Sequence, residues 1–285
     1  MCCFSGPVRE VSRTRIFARA TAGGRQVLAY SMTIAADADV AMILPLPTPL
    51  GVADDAVRFV DLSGYADLFG ALDAVFPVPL AAPAAAPVSR SFQPQALVVH
   101  EVGDFVASFV PSLPDFDRLD ARFRLPPAVW DQRPEYAESS FAVFQLRHPA
   151  GSVAGDAPSI FDRVLRRSPA PHGVRATIHP MAFELPRRDP GRLFFPTVHV
   201  HDGFFSETAD FDHQLYWQGA PLLAPHDDWA VDEAAAADVA AVVDTDRACG
   251  LLDPAQGLRR WSISGSRPNT DTYVDDPPAP EVDAA

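Results

Sequence analysis

Residues 15–46, RIFARATAGGRQVLAYSMTIAADADVAMILPL, contain three short runs rich in β-branched and aromatic residues: Arg15 to Ala20, Gln26 to Thr33 and Val40 to Leu46. Gly23-Gly24 parts the first two, and Pro45, Pro47 and Pro49 close the third before a fourth run, Val57 to Leu62. Short β-rich runs punctuated by Gly and Pro predict an antiparallel meander. Ser63 is placed to cap a helix in which Tyr65, Leu68, Phe69, Leu72, Val75 and Phe76 recur at helical spacing and fall on one face, which would pack on the sheet.

Further along, Pro77 to Arg90 is a Pro/Ala stretch that cannot continue a helix or a central strand. It divides the chain into an N-terminal sheet-plus-helix half (1–80), a connection (81–90) and a sheet-rich half (91–263). In the second half a hairpin is expected around Val102-Gly103, and a short helix from Ser112 through Phe123. Strands follow at Phe141 to Arg147, Arg175 to Leu185, Leu193 to His201 and Phe211 to Trp217, then a late helix at Asp232 to Asp244. Residues 264–285, rich in Pro, Asp, Ser and Ala, read as a disordered acidic tail. The fold class expected is α+β: antiparallel sheets with a few packed helices.

All 23 basic residues of the 285-residue chain are Arg, which removes lysine Schiff-base and Ser-Lys chemistry. A net charge of −14 opposes binding to nucleic acid or anionic lipid, because phosphates need cations to replace their counterions. The longest apolar run, Val40 to Leu46, is too short to span a bilayer, and Met1 to Arg15 has no signal-peptide core. GxGxxG, phosphate-loop, HExxH, CxxC and GxSxG patterns do not occur. Three cysteines, two of them vicinal, make no disulfide framework, so a reducing, cytoplasmic setting is expected.

The doublet Cys2-Cys3 carries the first chemical reading. Trimming of Met1 would leave a free α-amine and a thiol on Cys2, a nucleophile and base on one residue. In this start, running into a strand, the chain resembles the N-terminal-nucleophile hydrolases. That resemblance implies a layered sandwich, Cys2 as nucleophile with Cys3 beside it, no cofactor, and a small-molecule amide or peptide substrate held by Arg15, Arg19 or Arg25. The Cys-rich start, Ile43-Leu-Pro-Leu-Pro47 and Phe59-Val-Asp-Leu62 are also similar to an uncharacterised bacterial family, a resemblance that implies no activity. The plainer reading makes the doublet two small buried residues opening a strand.

A histidine cluster carries the second. On an extended strand Thr197, His199 and His201 project from one face; with Asp202, Glu207 or Glu101 they supply a two-His, one-carboxylate set suited to a transition metal such as Zn. His213 is a further candidate, although its alternation with Phe211, Leu215 and Trp217 reads as a core position. His199 and His201 are expected to line the same surface as the first residues of the chain. Three functions therefore stand open: an amidohydrolase or amide-transfer enzyme acting through Cys2, a metal-binding protein or metalloenzyme using His199 and His201, and a non-catalytic binding or assembly protein.

Overall fold

A computed structural model describes residues 2–36, 39–76, 100–102, 105–146, 175–177, 179–200, 205–219, 233–234 and 238–276. The first stretch contributes β1 (Cys2–Phe4), β2 (Val8–Thr21), β3 (Arg25–Ala36), β4 (Val40–Leu46), β5 (Arg58–Val60) and helix α1 (Leu68–Ala74). The middle adds β6 (His100–Val102), β7 (Phe105–Val110), α2 (Pro127–Asp131), β8 (Ser140–Leu146), β9 (Arg175–Thr177) and β10 (Met181–Pro186). The last part holds β11 (Arg192–Phe195), β12 (His199–Val200), β13 (Thr208–Gln218), β14 (Glu233–Ala234), α3 (Val239–Val242), β15 (Leu258–Pro268) and β16 (Thr272–Asp275).

Most of these elements are strands and the helices are short, so the helical share is smaller than α+β expected. One sheet has the order β12-β1-β4-β8-β7-β6; a second runs β14-β15-β13-β2-β3-β10-β5, with β9 also on β3; β11 and β16 form a separate pair. The sheets are mixed rather than purely antiparallel, because β1 pairs β12 and β2 pairs β13 in parallel. Strands from both expected halves share each sheet: β4 pairs β8, and β3 pairs β10.

Local chemistry accounts for the frame. Gly23 and Gly24 have φ of 71° and 69°, the left-handed region that glycine reaches without a Cβ clash, and so turn β2 tightly into β3. Every residue of β4 is buried, as a central strand covered on both faces requires. Pro45 sits in this strand opposite Phe141, beyond the point where β1 pairs with Met42 and Ile43, so among the described residues no strand pairs it on that side.

The alternation of β2 and β3 separates two cores. Ile16, Ala18, Leu28 and Tyr30 face the first sheet and join Phe4, Met42, Phe144, Phe183 and Trp217. Phe17, Val27 and Ala29 face the other way, where Leu68, Phe69 and Leu72 of α1 cover them together with Val239, Val243 and Leu251. On the far side of the first sheet Phe141 packs against Phe116 and Trp130, each ring 4.9 Å away.

Several expectations need correction. Ser63 does not cap the helix before α1 through its side chain; instead the Asp61 carboxylate accepts the Ser63 N–H at 2.8 Å. The helix from Ser112 is two short 3₁₀ turns, Leu113–Arg118 and Ala121–Phe123, parted where Leu119 turns extended. Among the described residues of the late helix only Val239–Val242 is helical, since Glu233 and Ala234 pair with β15. The run Leu193 to His201 is interrupted at Pro196, where a missing N–H ends the pairing of β11. The tail expected from residue 264 is ordered to Asp276: Ser264–Pro268 complete β15 against β13, and β16 pairs β11 with Val274 buried. The connection 81–90, residues 277–285, His201 and Asp202 lie outside the described residues.

Candidate functional site

The chain start is a strand inserted between two others. Cys2 stands opposite His199, and Cys3 opposite Val200 on one side and Ile43 on the other. Cys3 and Phe4 are each 1% exposed and belong to the larger hydrophobic core. The expected neighbourhood of His199 and the first residues is thus present in the backbone register.

His199 and His213 meet between the sheets. Their ring centroids are 4.8 Å apart, and Phe211 lies 4.8 Å from His199 and 5.0 Å from His213. The side chain of His213 is 0% exposed, the core position its alternation implied. Among the described residues no group of three or more His, Cys, Asp or Glu could hold a metal ion, and His201 and Asp202 of the expected set lie outside those residues. Glu207 contributes its backbone carbonyl to Asn269 N–H at 2.8 Å.

What fixes β12 beside the chain start is a buried polar network that the sequence reading missed. Asn269, 1% exposed, acts as a one-residue strand: its Oδ1 accepts the His199 N–H at 2.7 Å, and its Nδ2 donates to the His199 and Ser206 carbonyls, both at 2.9 Å. Closing an edge strand in this way removes a template for unwanted pairing. Asp271 continues the network, one carboxylate oxygen accepting the N–H groups of Thr197 and Val198 at 2.9 and 3.1 Å and the other the Tyr136 hydroxyl at 2.7 Å. Burial, and next the Asp271 charge, push the Tyr136 hydroxyl well above its ordinary pKa; Arg133 opposes this and Cys3 adds to it. Arg133 is itself buried, ion-paired with Glu135, lying 4.0 Å over the Phe205 ring and donating to the Asn269 carbonyl at 3.3 Å. The signal for this network was Pro268-Asn-Thr-Asp271 followed by alternating Thr272-Tyr-Val, a turn and a strand.

The three arginines assigned to a substrate carboxylate lie elsewhere. Arg15 and Arg19 share the face of Phe17, and Arg25 that of Val27, the side of the second sheet turned away from β1. Arg19 donates to the carbonyls of Leu251 and Gly250 at 3.0 and 2.8 Å, and Arg25 to that of Ala56 at 2.9 Å. Burial lowers the Arg19 pKa, with Asp253 and Glu184 opposing it. Arg15 faces Asp73 at 3.6 Å. Arg19 and Arg25 clamp loops to the sheet and Arg15 faces α1, and none of the three is on the face turned towards β1.

No protein-family model and no curated protein sequence matches the chain. Among solved structures it is similar to baculovirus P35, with a TM-score of 0.44 and 10% identity over 95% of this chain and 97% of that one. It is also similar to a mutated baculovirus P35 after caspase cleavage, with a TM-score of 0.41 and 10% identity over 93% and 100%. The P35 chain matched in the caspase-8/P35 complex gives a TM-score of 0.38 and 9% identity over 93% and 96%. The small-molecule amide or peptide substrate expected above is not carried forward; in the last of these structures P35 is in complex with caspase-8. Among the described residues, no helix is long and apolar enough to cross a membrane.

Proposed function

We propose that the chain is a non-catalytic binding or assembly protein of the cytoplasm, built on an α+β frame of stacked sheets, that engages a protein partner. The observation that carries this reading is the structural engagement of the side chains a catalytic site would need. Cys3 and His213 are buried, and on the far face of the second sheet Arg19 and Arg25 hold loops while Arg15 faces Asp73 of α1. The exposed, unbridged thiol of Cys249 fits a reducing compartment.

A second reading keeps thiol chemistry at Cys2 with His199 as base, favoured by the Cys2–His199 register. Alkylation of the native protein with limiting iodoacetamide, followed by peptide mapping, separates the two. A binding protein predicts that Cys2 reacts within about threefold of the exposed Cys249, whereas an activated nucleophile reacts at least tenfold faster.

A further inference from the structure

A cleft of about 330 Å³ opens between the turn before β5, the end of β7 and the 3₁₀ stretch Leu113–Arg118. Its apolar wall includes Val57, Val110 and Leu119. Its charged residues are Asp54, Asp55, Asp115 and Arg118, three carboxylates to one guanidinium, which leaves the lining net negative by two.

Arg118 demonstrates what the carboxylates accept. Its guanidinium makes paired bonds to Asp54 at 3.1 and 2.7 Å, across 64 residues of sequence, and a third to Asp115 at 3.4 Å. Both ends of this clamp are open to solvent, the Arg118 and Asp54 side chains being 54% and 65% exposed, so it exchanges readily. Two lining groups are left over. Asp55 makes no ion pair among the described residues. Ser108, only 5% exposed, has a hydroxyl without a hydrogen-bond partner among the described residues, and with Val110 it belongs to one face of β7. A buried hydroxyl left unpaired is costly and uncommon, which marks it as an acceptor reserved for something that enters the cleft.

We infer that this cleft receives an exposed arginine or lysine side chain of a protein partner, its aliphatic stem on Val57, Val110 and Leu119 and its cation between Asp55, Asp54 and Ser108. The chain's net charge of −14 favours approach of a basic surface. On this account Arg118 is an internal competitor that holds Asp54 until the incoming cation replaces it. The inference rests on the binding-protein reading and names the partner's chemistry.

The test titrates the full chain with the peptide acetyl-Gly-Gly-Arg-Gly-Gly-amide, reading amide shifts by heteronuclear NMR at low salt. Saturable shifts confined to residues 54–57 and 108–119 are expected, absent with the citrulline analogue. Asp55→Asn should weaken binding about threefold to fivefold, whereas Arg118→Ala should strengthen it by a similar factor, a gain that a merely structural Arg118 cannot produce. Unchanged spectra for the wild type, or weaker binding by a folded Arg118→Ala, would overturn the inference. Equal affinity for free arginine amide would overturn it too, in favour of a small cation. None of these results depends on the Cys2 alkylation rate, so failure here and failure of the binding-protein reading are distinguishable.

Discussion

Asn269→Asp changes one nitrogen to oxygen and leaves shape intact, yet it should disturb the chain start more than any other isosteric change. Oδ1 can still accept the His199 N–H, but the second oxygen now faces the carbonyls of His199 and Ser206, which Nδ2 had served at 2.9 Å each. Two part-buried carbonyls lose their donor at about 1 kcal/mol apiece, and they meet a negative charge in exchange, so a loss of about 3 kcal/mol is expected. For a chain of this size that corresponds to a melting temperature lower by roughly 6–12 °C. The sign of the pH dependence adds a second signature. The two carbonyls favour the protonated acid, so the new carboxyl has a folded-state pKa above its unfolded one, and the penalty shrinks as pH falls and the O–H restores one donor. Thermal melts at pH 8 and pH 4.5, with hydrogen exchange at the His199 amide, measure both effects. A melting temperature within about 2 °C of the wild type at pH 8, or a loss that does not shrink at pH 4.5, would refute the assignment of Asn269 as the edge partner of β12.

Other sites give independent checks. Ser108→Ala should raise stability by up to about 1 kcal/mol in urea unfolding while weakening the arginine peptide, because it removes an unpaired buried hydroxyl that a ligand would use. Burial alone would raise the Glu184 carboxyl, but the Thr21 hydroxyl and the Arg25 and Arg58 guanidinia outweigh it and hold it low. Its contribution is therefore present above the unfolded pKa and lost as pH falls through the folded one, so Glu184→Gln should cost roughly 0.5 kcal/mol at pH 7 and progressively less as pH falls below the unfolded value. Tyr216, raised first by burial and then by Asp73, and Tyr136 should stay protonated in the folded protein at pH 11, with phenolate absorbance appearing as the chain unfolds; Tyr273 is pushed up to about 12. Because these folded values exceed the unfolded 10, the stability they add is complete below pH 10 and declines as pH rises through the folded values.

The strands of the first half were legible because their chemistry is local: the Gly23-Gly24 turn, the proline series after Val40 to Leu46, and the one-sided helix at α1 each announce themselves within a few residues. His213 was legible as a core residue for the same reason, through the period of its own strand. Pairings between distant segments were not. Nothing near Cys2 states that a parallel strand from residue 199 lies beside it, since that register depends on Asn269 and Asp271, seventy residues further on, closing the edge. The composition of residues 264–276 misled in the same way: a polar strand without its partner looks like a tail, and only β13 and β11 supply its ladder. The arginines of β2 and β3 carried the right charge for a substrate carboxylate, but their parity with Phe17 and Val27 sets them on the wrong side of the sheet.

The central claim, that the doublet opens a structural strand in a binding protein, is tested most directly by the rate of Cys2 alkylation in the native chain as a function of pH. An ordinary thiol predicts a rate that climbs about tenfold per pH unit from pH 5 to pH 8, parallel to that of the same residue in the urea-unfolded chain. A rate already on a plateau below pH 7, abolished in His199→Gln while the unfolded chain keeps the ordinary slope, would reveal a thiolate–imidazolium pair and contradict the account.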